Sequence, residues 1–112
     1  MTGGVQLVAR FTALPGREEE VERLLLALAA NVRAEPGCLV FDPFRVGHAP
    51  PASGARGEGP ASGTGFLVVE SYRDEDAFAA HLAAAYGAEF NTALAALIVE
   101  DGSELTFVTP LG

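Results

Sequence analysis

Between Val5 and Leu14 the chain alternates between an apolar face and a more polar one. Val5, Leu7, Ala9, Phe11 and Ala13 share one face; Gln6, Val8, Arg10 and Thr12 share the other. A period of two with β-branched and aromatic residues predicts a strand, and Pro15-Gly16 ends it. From Arg17 to Ala34 the period lengthens. Val21, Leu24, Leu25, Leu28 and Val32 now fall on one stripe, as an amphipathic helix requires. Glu18, Glu19 and Glu20 in its first turns and Arg33 in its last suit the helix dipole. Pro36-Gly37 stops it.

Two further strands are predicted over Cys38–Val46 and Phe66–Tyr72, and both are apolar on both faces. Val40, Phe44 and Val46 oppose Leu39 and Phe41; Phe66, Val68 and Tyr72 oppose Leu67 and Val69. Between them Gly47–Gly65 is rich in Gly, Pro, Ala and Ser with no apolar period. It reads as a mobile loop, either a tolerated insertion or a lid. Asp74 can cap a second helix with the stripe Phe78, His81, Leu82, Ala85 and Tyr86, which Gly87 interrupts. A third helix carries Phe90, Ala93, Leu94, Leu97 and Ile98 on one face. Asp101-Gly102 marks a turn, and Glu104–Thr109 a last strand.

The order β-α-β-β-α-α-β predicts one α+β domain over 1–112 of the ferredoxin-like, split βαβ type. It is a four-stranded antiparallel sheet with its helices on one face. Strands apolar on both faces need cover on both. The second face is expected to be covered by a second copy, giving a homodimer.

Composition narrows the function. The net charge is −8, which disfavours nucleic acid and anionic membranes as partners. The one cysteine, Cys38, cannot form an internal disulfide. Met1–Arg10 shows no basic start followed by an apolar run, so a cytoplasmic protein is expected. His48 and His81 stand apart and no cysteine pair occurs, so no metal site is expected.

His81 sits on the inward stripe of the second helix. It is either a general base, with an unperturbed pKa of about 6.5, or a core histidine bonded to a carbonyl. Tyr72 and Tyr86 could turn their hydroxyls to the same space or simply pack with a wet tip. Arg10 and Arg45 lie on strands, either binding a polar ligand, reaching to the rim, or pairing with an acid such as Asp42.

The run Ala34-Glu35-Pro36-Gly37-Cys38-Leu39-Val40-Phe41 resembles the helix-to-strand signature of antibiotic biosynthesis monooxygenase (ABM) domains. So do Pro15-Gly16 and Phe66–Asp74 followed by Ala77-Phe78 and Ala80-His81-Leu82. The resemblance implies a dimeric α/β barrel with an apolar pocket between sheet and helices. It further implies a cofactor-free monooxygenase using O₂ on a small phenol, quinol or polyketide-type aromatic. His81 would be catalytic, and Tyr72, Tyr86, Phe78 and Arg45 would bind substrate. A non-catalytic dimer that binds a small molecule is the alternative. Tyr72 stands where many members carry Trp, and Phe90 and Asn91 occupy the later helix where haem-degrading relatives place an iron-binding histidine. Haem degradation is therefore not expected.

Overall fold

Strand β1 (Val5–Thr12), where the alternation is strictest, becomes a central strand of an open antiparallel sheet. The computed structural model describes residues 4–57 and 64–112. Around β1 stand α1 (Glu18–Arg33), β2 (Cys38–Arg45), β3 (Gly65–Tyr72), α2 (Glu75–Ala83), α3 (Ala85–Ala95) and β4 (Glu104–Val108). The strand order is β2-β3-β1-β4, the ferredoxin-like arrangement. Leu7, Ala9 and Phe11 of β1 join Phe41, Phe66 and Val68 in the core, against Val21, Leu25, Ala29 and Val32 of α1.

Strand β2 departs from simple alternation. Its pairing with β3 slips between Cys38 and Val40, a β-bulge that takes Leu39 out of register and leaves it 64 % exposed. Beyond the bulge, Phe41 lies opposite Glu70 facing the helices, while Asp42 and Phe44 lie opposite Val69 and Leu67 on the other face. β2 is an edge strand, which is why it tolerates Pro43.

The break between the second and third helices falls at Ala84, not at Gly87. Ala84 is extended (φ −68°, ψ 134°), so Ala85 and Tyr86 belong to α3. Facing explains the break. His81 and Phe90 would be roughly two and a half turns apart in an unbroken helix, on opposite sides. Interrupting it lets both turn toward the sheet. Asp74 caps α2 as expected, accepting from the Ala77 backbone N–H at 2.8 Å. Leu97 and Ile98 are buried beyond the end of α3, where Ile98 bridges Ala13.

Val46–Gly57 holds one 3₁₀ turn, Pro51–Ser53, with the Ser53 hydroxyl donating to Pro50 O. The expectation of a mobile loop over 47–65 falls partly on residues 58–63, which lie outside the described residues. Among the described residues no helix is long and apolar enough to cross a membrane.

Candidate active site

Two local features bring five titratable side chains together. The first is the turn after α1. Glu35 N–H bonds Val32 O, and Cys38 N–H bonds Glu35 O, so Glu35-Pro36-Gly37 folds tightly between helix and strand. Gly37 is buried there, and Arg73 N–H donates to its carbonyl at 2.8 Å. A Cβ on Gly37 would lie 2.2 Å from Ala77 Cβ. Glycine at this position therefore lets α2 dock directly on the turn. His81 is four residues after Ala77, one turn further along the same face. Docking thus carries its ring to Glu35.

The second feature is the period of β3. Phe66, Val68, Glu70 and Tyr72 all point inward and all are buried. A carboxylate in such a row needs partners. Glu70 accepts a hydrogen bond from the Tyr72 hydroxyl at 2.7 Å, and its Oε1 lies 3.9 Å from His81 Nε2. On the other side, His81 Nδ1 is 3.1 Å from Glu35 Oε2, which also accepts from the Tyr86 hydroxyl. His81 is thus flanked by two carboxylates, each held by a tyrosine. Its ring also packs among Tyr72, Phe78 and Phe41, with centroids at 4.9, 6.1 and 6.4 Å.

An ionised Glu35 can only accept, so this contact places the proton of a neutral His81 on Nδ1. Its Nε2 lone pair then faces the side of Glu70. A separation of 3.9 Å is too long for a hydrogen bond, so Glu70 does not occupy that lone pair. His81 and Glu70 both line a cavity of about 370 Å³ between the sheet and the helices. Its inner wall is apolar, with Leu7, Phe11, Leu25, Phe41, Val68 and Leu94. Its exposed wall carries Leu82, Asn91, Asp101 and Leu105. The size and the few converging polar groups are those of a small-molecule site.

Burial pushes the Glu70 carboxyl up; the Tyr72 hydrogen bond and His81 only partly offset it. Tyr72 is pushed far up by burial and by Glu70, so its hydroxyl stays a donor. Tyr86 is pushed up to about 12 by burial and by its bond to Glu35. Burial raises the Cys38 thiol as well, reinforced by Glu35 and Glu70, which keeps it protonated and a poor nucleophile. An acid raised by folding contributes most to stability below its ordinary value, here 4.5, and that contribution is lost as pH climbs through the raised value. Glu70→Gln removes the titrating group but still accepts from Tyr72. The melting temperature of this variant is expected to gain on the unmodified protein as pH rises from 4.5 toward neutrality. A difference that stays flat with pH would contradict the buried-carboxylate reading.

Of the residues singled out in the sequence, Phe78 and His81 reach the cavity wall. Tyr72 and Tyr86 stand behind it, bonded to the two carboxylates. Arg45 is not brought to this group. At the end of β2 it reaches across to α1, where its Nε donates to Glu22 at 2.8 Å, and its guanidinium lies over the Phe66 ring. Glu35 and Glu70 went unread as site residues. The signal for Glu70 was its inward place in β3; Glu35 carried none apart from the turn signature. Among the described residues no three His, Cys, Asp or Glu side chains are placed to share a metal ion.

Residues 5–93 match the family described as antibiotic biosynthesis monooxygenase. No curated protein matches the sequence. Among solved structures, PA3566 from Pseudomonas aeruginosa is 28 % identical with a TM-score of 0.76, over 100 % of this chain and 98 % of that one. SnoaB from Streptomyces nogalater, described as a cofactor-independent oxygenase and solved as a mutant, is 26 % identical with a TM-score of 0.72, over 97 % of this chain and 94 % of its own. Rv0793 from Mycobacterium tuberculosis has the same fold, at 22 % identity and a TM-score of 0.76 over 97 % of this chain and 96 % of its own. With the family model matched over residues 5–93 and the fold shared along the whole chain, the chain belongs to the antibiotic biosynthesis monooxygenase family.

Proposed function

We propose that the protein is a cofactor-independent monooxygenase that oxidises a small phenol, quinol or polyketide-type aromatic with O₂. The observation that carries this reading is His81, braced through Nδ1 by Glu35 and lining an apolar cavity together with Glu70. The similarity to SnoaB supports it.

The chemistry asks little of the protein. His81 Nε2 takes the phenolic proton, and Glu35 steadies the imidazolium that forms. The phenolate is electron-rich enough to pass one electron to O₂, and the two radicals combine into a carbon–oxygen bond on the ring. His81 returns its proton to the outer oxygen. The O–O bond then breaks as the ring carbon loses its hydrogen, leaving a quinone and water. One oxygen atom stays on the ring and the other leaves in the water. The apolar walls exclude bulk water from the reactive intermediates. Phe78 and Phe41 offer ring faces to the substrate, and Tyr72 and Tyr86 hold the two carboxylates.

Oxygen consumption with simple naphthols and hydroquinones tests this. With isotopically labelled O₂, one labelled atom is expected in the quinone. Binding without oxygen uptake would overturn the oxidation and leave a small-molecule-binding protein.

The uncovered sheet face supports a homodimer. Phe44, Val69 and Val108 stand there 53, 38 and 44 % exposed, and none of the described helices lies over them. A second copy packed sheet to sheet would bury them. Light scattering at micromolar concentration is expected to give twice the chain mass of 11.6 kDa. Val69→Asp puts an unpaired charge at the centre of that face and is expected to yield monomer. A monomeric unmodified protein would overturn the dimer.

A further inference from the structure

The charges around the cavity say which aromatic molecules it accepts. Glu70 lies on the buried wall, and Asp101, in the turn before β4, lies on the exposed wall. No arginine lines the cavity, and the chain has no lysine. All seven arginines lie among the described residues, and four are bound to carboxylates elsewhere: Arg17 to Glu20, Arg33 to Asp42, Arg45 to Glu22 and Arg73 to Asp74. Among the described residues the one helix N-terminus that touches the cavity is that of α3, at Gly87. Its N–H is already bonded to Ala84 O, so it is not a spare donor for an anion. An anionic substituent at the outer end, away from His81, would therefore lose its water without gaining an arginine or lysine, and would lie beside Asp101.

Resting on the reading of this cavity as an aromatic-binding site, we infer that it is a charge filter. It takes phenols whose outer substituent is a neutral hydrogen-bond donor or an ammonium group, and it rejects carboxylated or phosphorylated ones. The phenol hydroxyl goes to His81 on the inner wall. The rings lie along Phe41, Val68 and Leu94. The outer substituent meets Asp101, Asn91 and Ser103. Specificity of this kind comes as much from a repulsive element as from an attractive one. Asp101 is that element at the entrance, and being exposed in a turn it can be changed without touching the core.

Three naphthols test the filter, carrying on the far ring a hydroxyl, an aminomethyl or a carboxylate group. Affinities are measured by titration calorimetry at low salt, so that no turnover is needed. The aminomethyl compound is expected to bind more tightly than the diol, and the carboxylate at least ~10-fold more weakly than the diol. Asp101→Asn should remove the preference for the amine, and Asp101→Arg should bring the carboxylate level with the diol or ahead of it. A carboxylate that binds the unmodified protein as well as the diol overturns the filter. So does a ranking that ignores both changes at Asp101. If none of the three binds, the filter and the oxidation both fall. If the ranking holds but oxygen is not consumed, only the oxidation falls.

Discussion

His81→Gln is expected to lower oxygen uptake with a naphthol or hydroquinone substrate by about 10²–10⁴-fold, the usual worth of a placed base. Glutamine keeps a donor for Glu35 and fills much of the ring's volume, but it cannot take a proton. His81→Ala should lose the same activity at a greater cost in stability. The ring is packed among Tyr72, Phe78 and Phe41, and its removal takes one hydrogen bond from Glu35. That cost is on the order of 1–3 kcal/mol. Reading both variants separates base from packing residue. Turnover per folded molecule must collapse in both, while melting falls chiefly in the alanine form. A destabilised alanine variant with normal turnover per folded molecule would remove His81 from the mechanism.

The second large effect is expected far from any reacting atom. Gly37→Ala sets a methyl carbon 2.2 Å from Ala77 Cβ and 3.3 Å from Ala77 Cα. Neither atom is the end of a flexible side chain, so α2 itself must move. Overpacking of this kind costs about 1–3 kcal/mol, roughly 4–12 °C in melting temperature. Moving α2 also loosens His81 from Glu35, so turnover should fall with it. Ala77→Gly alone costs about 1 kcal/mol of helix propensity. Combined with Gly37→Ala it removes the clash, so the double variant should be more stable than the sum of the two losses allows. Recovery of turnover in the double variant would tie the glycine to the position of His81. A Gly37→Ala protein with unchanged melting and turnover would show that α2 does not depend on this close approach.

The sequence made the fold legible because most of its elements had one physical solution. β1 could not be shifted by one residue without exposing Leu7 and Phe11, and α1 had a single stripe between Pro-Gly stops. The parts that escaped were those where local pattern was silent. Nothing in Ala83-Ala84-Ala85 announces a break, since alanine is at home in any helix; the break answers a demand from the sheet, which must be faced by both His81 and Phe90. The bulge at Leu39 is invisible because its neighbours are apolar on either side. The site was half legible. His81 stood out as a polar residue on an apolar stripe. Glu70 stood out equally in β3 but was passed over among strong strand formers. Glu35 could be found only in three dimensions, 46 positions from the histidine it holds.

The sheet's two edges are unlike, and the difference bears on how the protein behaves when concentrated. The β2 edge carries Pro43, which has no N–H to offer, between the charges of Asp42 and Arg45. Such an edge resists the addition of a foreign strand. The β4 edge is guarded only at its start, by Glu104: Leu105, Thr106, Phe107 and Val108 then follow one another, with proline only after the strand. Aggregation through strand addition, where it occurs, should therefore grow from β4.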